Sequence, residues 1–287
     1  MTLFRTELED YLVKLGFSKE NITIQDGQND QATQSNQIDA FIADGVDLLI
    51  VNPVNSSSAE SITDKVVAAN IPLVYINREP SEDEEKRWED NDWDVTYVGC
   101  DARQSGTYQG EIVAALPDKG DANGDGVVSY VMIEGDPENI DAQYRTEYSI
   151  KALTDAGKEV ECLYEYLDNW DQTTAQQDVA NALAQYGEKI EVVFCNNDAM
   201  ALGALQSIEQ AGRTVGTDIY LVGVDALKEA VQNVVDGKMT GTVLNDDVGQ
   251  ATAAANATKL YVEGSDVDEY YWVDYVKVTT ENAAQYL

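Results

Sequence analysis

The sequence predicts an α/β fold of two doubly wound, parallel-sheet lobes. Two observations carry this. Short apolar, β-branched runs alternate with helix-periodic stretches along almost the whole chain, the signature of parallel strands with helices on both faces. The chain has 287 residues, enough for two cores of ordinary size.

The elements follow in order. The opening residues read as a helix already under way, with Leu3, Phe4, Leu8, Tyr11 and Leu12 at helical spacing. Neither a signal peptide nor a transit peptide is legible there. Candidate strands are Ile22–Gln25, Leu48–Val51, Leu73–Ile76, Thr96–Val98, Ser129–Glu134, Glu159–Tyr164, Val192–Cys195, Tyr220–Val224 and Gly241–Leu244. They are nearly all apolar, as strands covered on both faces must be. Candidate helices are Gln31–Ala43, Ala59–Ala69, Ser105–Ala115, Tyr144–Ala156, Ala175–Gln185, Ala199–Ala211 and Leu227–Asp236. The charged stretch Glu79–Asp94, with Pro80, reads as a solvated excursion.

Composition excludes several functions. Lys and Arg total 18 against 53 Asp and Glu, a net charge of -35, which repels phosphate backbones and argues against nucleic acid as a partner. There is no histidine, which removes the commonest general base and the favoured zinc ligand. Cys100, Cys162 and Cys195 are odd in number and far apart, so buried free thiols are expected. No apolar run is long enough to span a membrane, which leaves a soluble protein.

Polar residues sit at the carboxyl ends of the strands, where open parallel sheets bind their ligands. Asn77, Asn197 with Asp198, Asp225, and Asn245 with Asp246 each follow a predicted strand. Any one of them alone suits a helix N-cap. Four such strand ends together make a ring of donors and acceptors suited to hydroxyl groups.

A second motif is a calcium loop with one end missing. Asp121, Asn123 and Asp125 alternate, Gly126 follows, Val127 offers its carbonyl and Ser129 its hydroxyl, in the order of the first nine positions of an EF-hand loop. The twelfth position is Met132 where a bidentate Glu belongs. Asp/Asn/Gly clusters also make plain turns. If a distant carboxylate completes the shell, a structural calcium ion is expected, and Glu191, one residue before an apolar strand, is the candidate.

Seven segments now accumulate in order along nearly the full chain: Gln28–Gln31, Gln37–Asp39, Asn77–Pro80, Val98–Asp101, Asn196–Met200, Gly223–Ala226 and Gly241–Asp246. In these the sequence resembles the bacterial glucose/galactose-binding proteins of the type I periplasmic binding family. The resemblance implies a monosaccharide held between two lobes joined by a three-strand hinge, crossing near Cys100, Asn245 and Tyr275. One lobe would hold residues 1–100 and 246–276, without the family's first strand; the other would hold 101–245 and 277–287. Asn77, Asp141, Arg145, Asn197, Asp225 and Asn245 would bond the sugar hydroxyls, and Trp170 would cover one sugar face. Asn139 stands where the family usually has His, which bears on the choice of pyranose. Glu191 would close the calcium loop.

The same resemblance implies export to the periplasm or cell exterior, with or without a lipid anchor. It implies a monomer, an ABC-transporter permease as partner, and a chemoreceptor as a further one. Two other readings stay open on the residues. A glycosidase needs two flanking carboxylates, one with a raised pKa, and Asp141 and Asp225 are the pair to test by sugar release. The effector core of a LacI-type repressor shares the fold but needs a basic helix-turn-helix that these residues do not contain.

Overall fold

The computed structural model describes residues 2–287; Met1 lies outside the described residues, as do the side chains of Thr2 and Leu3. The chain divides into two compact units. The first comprises Met1–Cys100, Glu138–Ile140 and Asp246–Val273; the second comprises Asp101–Pro137, Asp141–Asn245 and Asp274–Leu287. No helix among the described residues is long and apolar enough to cross a membrane.

Helices and strands alternate as α1 (Thr2–Lys14), α2 (Gln31–Asp44), β1 (Leu49–Val51), α3 (Ala59–Ala68), β2 (Leu73–Ile76), α4 (Glu82–Asn91) and β3 (Val95–Gly99). They continue as α5 (Ala102–Ala114), β4 (Val127–Glu134), α6 (Ile140–Asp155), β5 (Glu159–Leu167), α7 (Gln172–Tyr186), β6 (Val192–Cys195) and α8 (Asp198–Gln210). The chain ends with β7 (Tyr220–Val222), α9 (Lys228–Val235), β8 (Thr242–Leu244), α10 (Asp247–Glu263), β9 (Tyr270–Trp272) and β10 (Val276–Val278).

The first unit is built on a parallel sheet in the order β1-β2-β3-β9. One face packs on Ile62, Val66, Tyr75 and Trp88, the other on Phe4, Leu8, Ala251 and Ala255. The stretch Glu79–Asp94 is not a solvated excursion. It contains α4, capped by the Ser81 side chain at the Glu84 N–H, and it buries Trp88 against Tyr75 with ring centroids 5.4 Å apart. Glu84 is buried because its carboxylate takes the Trp88 indole N–H at 2.7 Å and pairs with Arg87. The charged composition hid one large apolar anchor.

Ile22–Gln25 is extended but forms no strand. Its alternating pattern suits a strand, yet a strand exists only by pairing, and β1 pairs with β2 alone. A groove of about 900 Å³ runs between this segment and β1, lined by Ile22, Ile24, Leu48 and Ile50.

The second unit has a parallel sheet in the order β5-β4-β6-β7, and β8 pairs antiparallel with β10. Its core gathers Val131, Ile133, Val193, Met200, Leu221 and Val231. Strand β5 departs from the apolar expectation. It lies at the sheet edge with a largely exposed pattern, so Cys162 on it is exposed, while Cys100 and Cys195 are buried; all three are free.

Candidate functional site

In the second unit the carboxyl ends of β4, β6, β7 and β8 bring polar side chains together. Arg145, on α6, is buried and donates from Nη1 to the Asn196 carbonyl at 2.8 Å and from Nη2 to the Tyr275 hydroxyl at 3.2 Å. Burial opposes its charge, but Tyr275, Asp225 and Asp141 outweigh that, so its pKa stands above the ordinary arginine value. The guanidinium also lies 5.8 Å from the centroid of the Trp170 ring, a cation–π distance. Asp141, in the first turn of α6, is buried.

Trp170 is presented by a tight turn in which both Asn169 and Trp170 have positive φ, 50° and 68°. The turn is tied by the Asp168 N–H to the Glu134 carbonyl and by the Asp171 N–H to the Asp168 carbonyl, each 2.9 Å. Gly135 is required beneath the indole, because a Cβ there would fall 2.2 Å from the ring. The indole Nε1 is buried and has no partner.

Asn197 is the N-cap of α8, its Oδ1 accepting from the Met200 N–H at 3.0 Å. The cap uses only the amide oxygen and leaves the NH2 out of the capping bond. Asp225 has φ 114° and donates its N–H to the Val243 carbonyl at 2.8 Å. Behind it, buried Asp198 accepts from the Thr242 hydroxyl at 2.7 Å and from the Leu227 N–H at 2.8 Å. Burial, then the Asp225 charge, raise the Asp198 pKa well above the carboxylate range. Asn245 follows β8, half-buried. Asp246, its neighbour, caps α10 at the Gly249 N–H.

Asn77 and Asn139 belong to the first unit. Asn77 follows β2 with φ 63°, and its carbonyl accepts from the Tyr97 hydroxyl at 2.8 Å. Asn139 is buried.

Three supporting residues escaped the sequence reading. Asn196 is fully buried and bridges β6 to the Gly135 N–H and the Thr146 hydroxyl. Tyr275 meets Arg145 from 130 residues away. Asp168 is buried with neither carboxylate oxygen bonded; burial first, then neighbouring Asp178, push its pKa up to about 7. Only the strand-end position of Asp168 could have flagged it.

The acidic loop is an ordered, self-bonded turn. Asp121 Oδ2 accepts from the Gly126 N–H (3.1 Å), Asn123 Oδ1 from the Asp125 N–H (2.8 Å) and Asp125 Oδ1 from the Val127 N–H (3.0 Å). Gly124 and Gly126 take φ 76° and 98°, as such a tight loop demands. Glu191, buried and distant in sequence, reaches the loop: its two oxygens accept from the Asn123 and Ser129 N–H groups, each at 2.9 Å. Burial and the nearby Asp121 and Asp125 charges raise its pKa against those two hydrogen bonds. Asp121 Oδ1 is buried and has no partner. Among the described residues, no three His, Cys, Asp or Glu side chains form a metal cluster. The donors that fit a hard cation here are mixed: Asp121, Asn123, Asp125, the Val127 carbonyl, Ser129 and Glu191.

These two parallel α/β units define the class, and the chain belongs to the periplasmic binding protein domain family, whose profile matches residues 1–266. It is 33% identical to the D-galactose/methyl-galactoside binding periplasmic protein of Haemophilus influenzae, across 100% of this chain and 88% of that protein. It is also 33% identical to a putative rhizopine-binding protein of Rhizobium meliloti, across 99% of this chain and 87% of that one. Among solved structures it is similar to an ABC transporter solute-binding protein from Bacillus halodurans with bound myo-inositol. There the TM-score is 0.85 at 29% identity, covering 99% of this chain and 92% of that one.

Proposed function

We propose that this protein is the extracytoplasmic solute-binding component of a sugar ABC importer, and that its ligand is a monosaccharide of the glucose/galactose type. The observation that carries the proposal is the cluster around Arg145. A buried cationic fork is held by the charges of Asp141 and Asp225 and lies 5.8 Å from the centroid of the Trp170 ring. Ionised carboxylates accept from sugar hydroxyls, the guanidinium donates in a fixed geometry, and an indole face packs on the apolar C–H face of a pyranose. Asn197 and Asn245 add amide donors and acceptors in the same unit, and Asn77 and Asn139 are proposed as sugar ligands from theirs. The relative from Haemophilus influenzae, named for galactose and matched over the whole chain, supports this ligand class over myo-inositol. The relatives named above are binding proteins, which supports a binder over an enzyme.

The proposal extends to location and partners. The protein works in the periplasm or outside the cell, delivers its sugar to a membrane permease and serves a chemoreceptor as a second client. A structural calcium ion, held by Asp121, Asn123, Asp125, Val127, Ser129 and Glu191, completes it, supported by the buried, unbonded Asp121 Oδ1.

Titration of D-galactose, D-glucose, D-ribose and myo-inositol against tryptophan fluorescence tests the reading. Saturable change with a hexose at the lowest concentration is expected, because Trp170 would be covered. Preference for myo-inositol or ribose overturns the ligand class.

A further inference from the structure

The acidic loop has a cation of its own. Lys158 follows Gly157, which ends α6 with φ 81°, and its N–H is held by the Leu153 carbonyl at 3.1 Å. The next residue, Glu159, stands opposite Val127 in the β4–β5 register. This puts Lys158 beside the exit of the loop, and its ammonium reaches Asp121 Oδ2 at 3.2 Å. Neither partner is a surface group: their side chains are 16% and 11% exposed.

We infer that Lys158 is a built-in counter-charge that weakens divalent-cation binding at this loop and holds the loop ordered when no ion is bound. The inference rests on the calcium reading above. Asp121 divides its oxygens between two tasks: Oδ2 takes the Gly126 N–H and Lys158, while Oδ1 is buried and bonded to nothing. Lys158 therefore leaves the ion's oxygen open and acts through charge. Asp121, Asp125 and Glu191 bring three negative charges to the loop, with Glu161 3.5 Å from the Ser129 hydroxyl as a further neighbour. Lys158 cancels one of the three. Ion affinity in such loops follows the charge of the ligand set, so a resident ammonium lowers it. The same ammonium relieves carboxylate repulsion in the ion-free loop, a larger effect in a half-buried setting than at the surface. The second unit would then fold with or without calcium, and the ion would adjust its stability without being a condition of folding.

Calorimetric titration of calcium chloride at fixed ionic strength, with melting in excess chelator, tests this on the full chain. Lys158→Met is expected to bind calcium about tenfold more tightly than the parent and to melt about 2–4 °C lower in chelator. Lys158→Gln, which keeps hydrogen-bonding capacity without charge, is expected to show the same tightening and covers poor folding of the Met variant. Equal calcium affinity in parent and variants overturns the role of Lys158 while leaving the calcium site intact. No calcium heat from any of the three overturns the calcium reading, and this inference with it.

Discussion

Replacing Arg145 by Met removes the charge and fork at the heart of the second unit while keeping the aliphatic stem. The cost can be worked from its contacts. The Asn196 carbonyl and the Tyr275 hydroxyl each lose their donor, and a buried acceptor left unbonded costs about 1–3 kcal/mol. Asp141 and Asp225 lose the cation that offsets their charges. Breaking a buried ionic arrangement from one side costs about 3–5 kcal/mol in all, and the hydrogen-bond loss falls within that figure. With a urea slope of about 3 kcal/mol per molar, the unfolding midpoint of this unit falls by about 1–1.7 M. Tryptophan fluorescence reports it, since Trp170 sits against the guanidinium. A loss under about 1 kcal/mol would refute the reasoning, because it would mean that the two carboxylates never needed the arginine.

Other consequences reach both units. Trp88→Ala should destabilise the first unit by about 3–5 kcal/mol, read by chemical denaturation, since it empties the space stacked on Tyr75 and strands Glu84. Gly135→Ala should lower sugar affinity at least tenfold in calorimetry while the fold survives, because the added carbon collides with the Trp170 ring. Asp168 is an acid whose pKa is raised to about 7 in the folded state. It therefore costs stability as pH rises from its unfolded value through about 7, and the full cost stands above that. Asp168→Asn should raise the melting temperature at pH 8 relative to the parent and change little at pH 4, a difference of order 1–2 kcal/mol.

Much of this architecture was legible because helices and covered parallel strands declare themselves through period and apolar content. Helices α2, α3 and α7, and strands β2 and β6, lie within a few residues of their expected bounds. What failed did so for physical reasons. Ile22–Gln25 has the composition of a strand and no neighbour to pair with. Helix α4 was masked by charges whose purpose is local: Glu84 binds the indole of Trp88 and Arg87 covers Glu84. Helix α10, rich in Ala and Thr, carries little hydrophobic contrast between its faces, and β9 and β10 are three-residue strands.

The site shows the same division. Arg145 feels the Asp141 charge and lies near the Trp170 ring, and Glu191 reaches the acidic loop. The cap reading of Asn197 and Asp246 also holds in each case. By contrast, Asn196, Tyr275 and Lys158 matter through partners 51, 130 and 37 residues away, and nothing in local pattern announces such pairs.

The central claim is that the Arg145 cluster binds a sugar. Calorimetric titration of ligand-stripped protein with D-galactose and D-glucose, run beside Asp225→Ala, tests it most directly. Saturable one-to-one heat in the parent, with affinity lost by at least a hundredfold in a variant that melts normally, is the predicted result. Undiminished binding by Asp225→Ala, or no heat from either hexose in the parent, would contradict it.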